Sequence, residues 1–298
     1  MSCILNQKYK TLLPILLLIL AMLSIQSGAS LAKHLFPIIG AFGVTALRLF
    51  LATIILFIIF KPWRKKLHSQ LRSKSLKHLL LYGISLGSMN SLFYLSLERI
   101  PLGIAVALEF TGPLSVAIFA SRKIIDFIWI MMVIIGLFFL LSIGNSMNNL
   151  DFIGIIYAIF AGVCWGMYIV FGKLAGSGYG TATVPLGSFV STLIFFPIGL
   201  YTVGIKPLFD LSILPIAFAV AILSTAFPYT LEMFALTRMP AKRFGTLMSL
   251  EPTIGAFIGM IFLNEQLTLT QWFALFCIIA ASIGSTLKIQ IKTDKIKN

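Results

Sequence analysis

Ten stretches of this 298-residue chain are nearly free of polar side chains, and each is about long enough to cross a bilayer as a helix. They run 12–32, 38–60, 78–97, 101–120, 125–143, 152–172, 183–203, 211–231, 243–263 and 269–287. Leu12–Leu20 and Ile54–Phe60 are unbroken apolar runs, not the alternating ten-residue segments of a membrane β-barrel. Backbone of that length in hydrocarbon satisfies its own hydrogen bonds only as helix. The pattern therefore predicts an all-α integral membrane protein with ten transmembrane helices. The first stretch follows Lys8 and Lys10 and holds small residues at Gly28–Ser30, so it also fits a signal peptide. Its kinship with a later segment, described below, favours its staying in the membrane.

Composition agrees: 59% of residues are apolar, 11% are charged, and the mean hydropathy is +1.01. A soluble domain runs near half apolar and a quarter charged. The net charge of +14 would suggest nucleic acid in a soluble protein, but here it reads as a topology signal and no nucleic-acid partner is expected. With the amino terminus in the cytoplasm, 19 of the 23 lysines and arginines fall on the cytoplasmic side, including the run from Lys61 to Lys77. Only Lys33, Arg99 and Lys206 fall opposite, and Arg48 lies inside a span. Such a bias requires an even number of spans and puts both termini in the cytoplasm.

Cys3, Cys164 and Cys277 form no Cys-x-x-Cys, and His34, His68 and His78 show no metal spacing, so neither a disulfide framework, a metal site nor a cofactor is expected. There is no Gly-x-Ser-x-Gly elbow, phosphate-binding loop or His-Glu-x-x-His. No catalytic residue is predicted, and the chain is expected not to be an enzyme.

The chain also repeats itself. Arg99-Ile-Pro101 recurs as Arg238-Met-Pro240, 139 positions on, and Pro113 falls on Pro252 at the same offset. Lys33 and Lys173 lie 140 apart, and Trp129 and Trp272 lie 143 apart. These matches predict two five-helix repeats, 1–147 and 148–298, joined near 144–151. Five is odd, so consecutive copies enter the membrane from opposite sides, as in many secondary transporters whose inverted halves rock about a midplane site.

Charges inside spans are costly and mark functional candidates. Arg48, Glu109 and Glu251 stand out, the two glutamates in spans that are repeat partners. Pro113 deprives the Glu109 carbonyl of its helical partner, and Pro252 does the same to Met248 while disfavouring helix at Glu251. A substrate- or proton-linked role is one reading; a Glu–Arg48 pair that merely locks a static kink is the other. Gln26, Asn90, Tyr94, Trp165, Tyr168 and Tyr229 are further candidates, although interhelical packing accounts equally well for the aromatics. Glu98, Asp126, Glu232 and Glu265 lie near span ends, where they can reach the interface.

The segments Ser24-Ile-Gln-Ser-Gly-Ala-Ser-Leu-Ala-Lys33, Gly43-Val-Thr-Ala-Leu-Arg-Leu49, Pro101-Leu-Gly-Ile-Ala-Val-Ala-Leu-Glu-Phe-Thr-Gly-Pro113 and Phe244-Gly-Thr-Leu-Met-Ser-Leu-Glu-Pro252 resemble the EamA branch of the drug/metabolite transporter superfamily, most of all its bacterial inner-membrane threonine/homoserine exporters. The resemblance covers about 12–288. It implies a proton-coupled exporter of small neutral amino acids in the bacterial inner membrane, surrounded by lipid, as monomer or homodimer. A zwitterion needs a cation for its carboxylate, which Arg48 or Lys33 could supply, and an acceptor for its ammonium, which Glu109, Glu251 or a freed carbonyl could supply. The alternatives are a transporter of another small solute, an amino-acid importer and a non-transporting scaffold.

Overall fold

A computed structural model describes residues 2–64, 73–119, 128–129, 131–132, 134–136, 139, 151–238, 247–248 and 250–294. All the regular structure among them is helical. α1 is Ser2–Lys33, α2 Phe36–Phe60, α3 Ser73–Leu97 and α4 Leu102–Phe119. α5 is Phe152–Tyr179 and α6 Thr183–Val203. One further span is built in three pieces: α7 Leu214–Ala221, a π-helical turn Ile222–Ala226, and α8 Phe227–Arg238. α9 is Glu251–Leu263 and α10 Leu269–Asp294. Six of these helical stretches are long and apolar enough to cross a membrane, and Leu102–Val116, Glu251–Leu263 and Leu269–Ala281 are shorter apolar helices.

The described part of the 125–143 stretch is helical and packs on α10, with Phe139 edge-on to Phe273 at 5.4 Å. The expected repeat junction at 144–150 and the first half of the 243–263 stretch, apart from Leu247, Met248 and Leu250, lie outside the described residues.

Local sequence accounts for several helix ends. Asp151 caps α5, its side chain accepting from the Ile153 N–H at 2.8 Å. Arg99 also donates to Asp151, and that guanidinium holds the Asp151 carboxyl below the usual carboxylate range. Lys61 closes α2 in the left-handed region (φ 44°), with Pro62 behind it. α2 carries a break not expected from its apolar run: Gly40 sits at φ 61°, ψ 171°, a geometry closed to most side chains. The Ala41 N–H beyond the break is taken up by the Glu98 carboxylate.

The bundle is apolar on the outside and carries its polar side chains within. Leu16, Ile58, Phe160, Leu193 and Phe276 are all more than half exposed, while Gln26, Arg48, Asn90, Glu109 and Glu251 are buried. Water is the wrong solvent for such a surface; a bilayer is the right one. Inside, α3 lies along α5, α1 along α8, α2 along α6, and α4 packs on both α5 and α9.

At the α4–α5 crossing the two backbones approach closely. The Glu109 carbonyl, left without a helical N–H by Pro113, faces Gly162 on α5. A methyl on Gly162 would stand 2.6 Å from that oxygen. The missing side chain lets one backbone cover the other's orphaned acceptor, with the Gly162 Cα–H group directed at it. Gly162→Ala should therefore destabilise the fold by about 1–3 kcal/mol, read as a lower denaturation midpoint in detergent. Gly176→Ala on the same helix is the control, since nothing lies within 4 Å of the added methyl, and it should be neutral.

Candidate functional site

The π-helical turn organises the interior. Its wide ring removes the regular ladder locally and offers backbone acceptors to side chains. Arg48, on α2, donates from Nε to Thr225 Oγ1 at 2.7 Å and from Nη2 to the Ser224 carbonyl at 2.9 Å. Ser24, on α1, donates to the Leu223 carbonyl at 2.6 Å. The guanidinium also lies 5.0 Å from the centre of the Tyr94 ring, a cation–π distance. Arg48 is thus held by two neutral partners on the π turn and by the face of an aromatic ring on α3.

Two glutamates are buried as well, Glu109 within reach of Arg48 and Glu251 within reach of Glu109. Glu251 opens α9, in the turn where unpaired N–H groups and the helix dipole favour negative charge. Its Oε1 accepts from Gln26 Nε2 at 3.1 Å, while Glu251 Oε2 and Gln26 Oε1 are buried without a partner. Glu109 is buried and lies within electrostatic reach of both Glu251 and Arg48. Among the described residues neither glutamate is ion-paired with Arg48. The locking pair weighed from sequence is not formed here.

Around this layer Asn90 donates to the Leu86 carbonyl at 2.7 Å and lies near Tyr229. The Tyr94 hydroxyl and the Thr45 Oγ1 are buried and unpaired. Trp165 meets Phe110 edge-on at 6.0 Å, beside Glu109 in sequence. Tyr168 stacks on Tyr82 at 4.9 Å.

Lys33 is the exception among the sequence candidates. It lies at the end of α1, away from the cluster, and its ammonium is held by Glu265 at 2.6 Å. Conversely, Glu232 was placed near an interface by its position in the sequence, yet it is half-buried within electrostatic reach of Glu251 and of Tyr82, Tyr168 and Tyr229. Its spacing of three from Tyr229 was the available signal, since i and i+3 share a helix face. Ser224 and Thr225 were also missed, though a polar pair in the middle of an apolar run marked them.

Among the described residues no group of three His, Cys, Asp or Glu side chains could hold a metal ion. What the arrangement offers is a fixed cation, two buried carboxylates and unpaired polar atoms within one apolar shell. That set complements a small solute bearing both charges.

Comparison with known proteins agrees with a solute-handling role. Residues 152–287 match the model of the EamA-like transporter family. The threonine/homoserine exporter RhtA of Salmonella typhimurium is 56% identical over 98% of this chain and 99% of its own length. The protein of the same name from Escherichia coli is 55% identical over 98% of this chain and 97% of its own. A solved crystal structure only 17% identical aligns over 94% of this chain and 98% of its own with a TM-score of 0.59, which bears on the fold alone. With relatives so similar along nearly its whole length, the chain belongs to the EamA-like transporter family and is a transporter, not an enzyme.

Proposed function

We propose that this protein exports small neutral amino acids of the threonine/homoserine type across the bacterial inner membrane, driven by the proton gradient through alternating access. The observation that carries the reading is Arg48: a buried guanidinium whose hydrogen bonds go only to neutral groups, within reach of Glu109, which is in turn within reach of Glu251, and ion-paired with neither. A zwitterion satisfies both sides of that arrangement, its carboxylate toward Arg48 and its ammonium toward Glu109 or Glu251. The exporters named above, 55–56% identical, support threonine and homoserine as the substrate class.

The architecture that goes with this reading is ten transmembrane helices in two inverted repeats, 1–147 and 148–298. The packing pattern supports it. Exchanging α1 with α5, α2 with α6, α3 with the α7–α8 span and α4 with α9 turns the α3–α5 pair into the α8–α1 pair. The same exchange turns α4–α5 into α9–α1, and α3–α6 into the contacts of α2 with α7 and the π turn. α4 and α9 also run in opposite directions where they meet: Leu102 lies beside Gly259, Gly103 beside Ala256 and Val106 beside Gly255. The positive-inside bias puts the Lys33 end of α1 on the extracytoplasmic face and both termini in the cytoplasm.

Within this scheme Glu251 takes the mobile, proton-exchanging role, because it stands where the helix starts and its partner Gln26 is neutral in either state. Glu109 contacts the substrate ammonium, with Gln26, Asn90, Tyr94, Trp165, Tyr168 and Tyr229 lining the path.

Proteoliposomes with labelled threonine and homoserine test the assignment. Glu251→Gln should abolish flux driven by a pH gradient yet retain solute exchange, since glutamine keeps the shape and loses only the titration. Glu109→Gln should weaken binding as well. Flux like wild type in both variants would leave the static-kink reading in place. Arg48→Lys should raise the half-saturating solute concentration about tenfold or more, because a charged hydrogen bond is worth about 1.5–3 kcal/mol and lysine cannot reproduce the two-pronged geometry.

Topology is tested separately by Ser69→Cys in the 61–77 loop. It should react with an impermeant thiol reagent in inside-out vesicles and not in intact cells; the opposite result would reverse the orientation.

A further inference from the structure

At the Lys33 end of the bundle one carboxylate, that of Glu265, joins several helix ends. Asn264 leaves α9 in the left-handed region (φ 53°), and the Glu265 N–H returns to the Gly259 carbonyl at 3.1 Å. That turn lays the Glu265 side chain across α9, over Gly259, where any side chain would collide with its Oε2. Oε2 then accepts from the Leu102 N–H at 2.7 Å, one of the orphan donors at the start of α4. Oε1 takes the Lys33 ammonium at 2.6 Å, at the end of α1. One side chain therefore ties the ends of three helices that belong to both halves of the molecule.

Beneath the tie lies an apolar plug. Leu35, Leu97, Ile100, Leu102 and Leu208 all come from helix ends or connections at this face, yet none is more than 2% exposed. Side chains at a membrane–water boundary are buried that fully only when the bundle is shut there. Below the plug come Thr45, then Arg48 one turn further along α2, and the polar layer.

We propose that Glu265, with Lys33, is the latch of the extracytoplasmic gate: its carboxylate holds α1, α4 and α9 together while the polar layer is closed to that side, and releases them for the solute to leave. This rests on the alternating-access reading given above. The latch is suited to release. Lys33 and Glu265 keep 23% and 12% side-chain exposure, so water at the face can take over both charges, and such partly exposed pairs contribute little to overall stability. Losing the pair should shift the balance between closed and open states more than it unfolds the protein. Glu265 and Lys33 are positioning residues in this role and need not touch the solute.

The test reads accessibility rather than flux. In a variant with Cys3, Cys164 and Cys277 replaced by alanine, Thr45→Cys is the reporter, since Thr45 is 1% exposed with an unpaired hydroxyl, between the plug and Arg48. An impermeant maleimide is applied to intact cells without substrate. Glu265→Gln should speed labelling about tenfold, since the charge is lost from its bonds to both Lys33 and the Leu102 N–H, and Lys33→Met, which removes only the partly exposed pair, about threefold. Asp151→Asn, which breaks the exposed Arg99 pair at the same face and keeps a capping residue, should leave the rate unchanged. Unchanged labelling in Glu265→Gln, or equal acceleration by Asp151→Asn, would overturn the latch.

A second arm uses Lys33→Cys with Glu265→Cys, bridged by a short bifunctional maleimide. Bridging should lower the flux of the double-cysteine protein at least about tenfold relative to the same protein before bridging, while the reagent changes the flux of either single-cysteine variant little relative to its own untreated form. Full flux in bridged protein would also overturn the proposal. If instead the unmodified protein carries no amino acid, the transport reading fails while the labelling results still decide the gate.

Discussion

Hydrocarbon offers nothing to a polar group, and the interior of this protein is organised by that fact. Every carbonyl that loses its helical partner, and every charge that enters a span, must find protein. Three devices meet the demand, each leaving a mark on the packing. Pro113 orphans the Glu109 carbonyl, and a glycine on α5 lets a second backbone cover it. Gly40 breaks α2, and Glu98 receives the N–H beyond the break. The π turn at Ile222–Ala226 loosens the ladder of its span, and Arg48 and Ser24 take up the carbonyls of Ser224 and Leu223. The close helix crossings, the kink and the polar centre are consequences of one solvent constraint.

That constraint also explains which parts of the structure were legible in the sequence. Six of the spans were, because length and unbroken apolarity are what a bilayer selects. α3 nevertheless begins at Ser73, not at 78, because a lysine-bearing first turn outside the hydrocarbon is helical without being apolar. The break at Gly40 was hidden, since a glycine in an apolar run looks like a packing residue until Glu98 from a distant helix is seen to cap it. The π turn was hidden for the same reason. Its residues Ile-Leu-Ser-Thr-Ala carry no breaker, and only the Arg48 guanidinium from α2 makes the wider turn worthwhile.

The site divides along similar lines. Arg48, Glu109 and Glu251 stand out in the sequence because a charge deep in a span has few explanations, and Gln26, Asn90 and Tyr94 because their neighbours are mostly apolar; the structure buries all six. Glu232 and Glu265 were read as able to reach the interface from their distance to span ends; Glu265 does lie partly exposed at a helix-end face, while Glu232 does not follow that measure. Glu232 shares a helix face with Tyr229 and so turns inward. Glu265 lies two residues beyond the end of α9, and a left-handed Asn264 folds it back over the bundle. Lys33 looked like a partner for a substrate carboxylate until Glu265 was found to hold it.

The two sets of charges differ in a way that bears on how a transporter divides its labour. At the Lys33 face opposite charges are paired directly, partly in water, so the pair exchanges partners at small cost and its making or breaking sets a conformation. In the polar layer the cation and the carboxylates are buried yet not joined, each left with neutral partners or none. An ion pair between Arg48 and Glu109 would be a self-sufficient unit with no residual preference for a solute. Keeping the charges apart leaves an uncompensated field in a medium of low dielectric, where an added zwitterion gains most. Holding Arg48 by a threonine hydroxyl, a backbone carbonyl and a tyrosine face fixes its position without cancelling its charge. The π turn thus joins fold to function: the same irregular backbone that hydrocarbon would forbid on its own is what keeps the guanidinium in place and unspent.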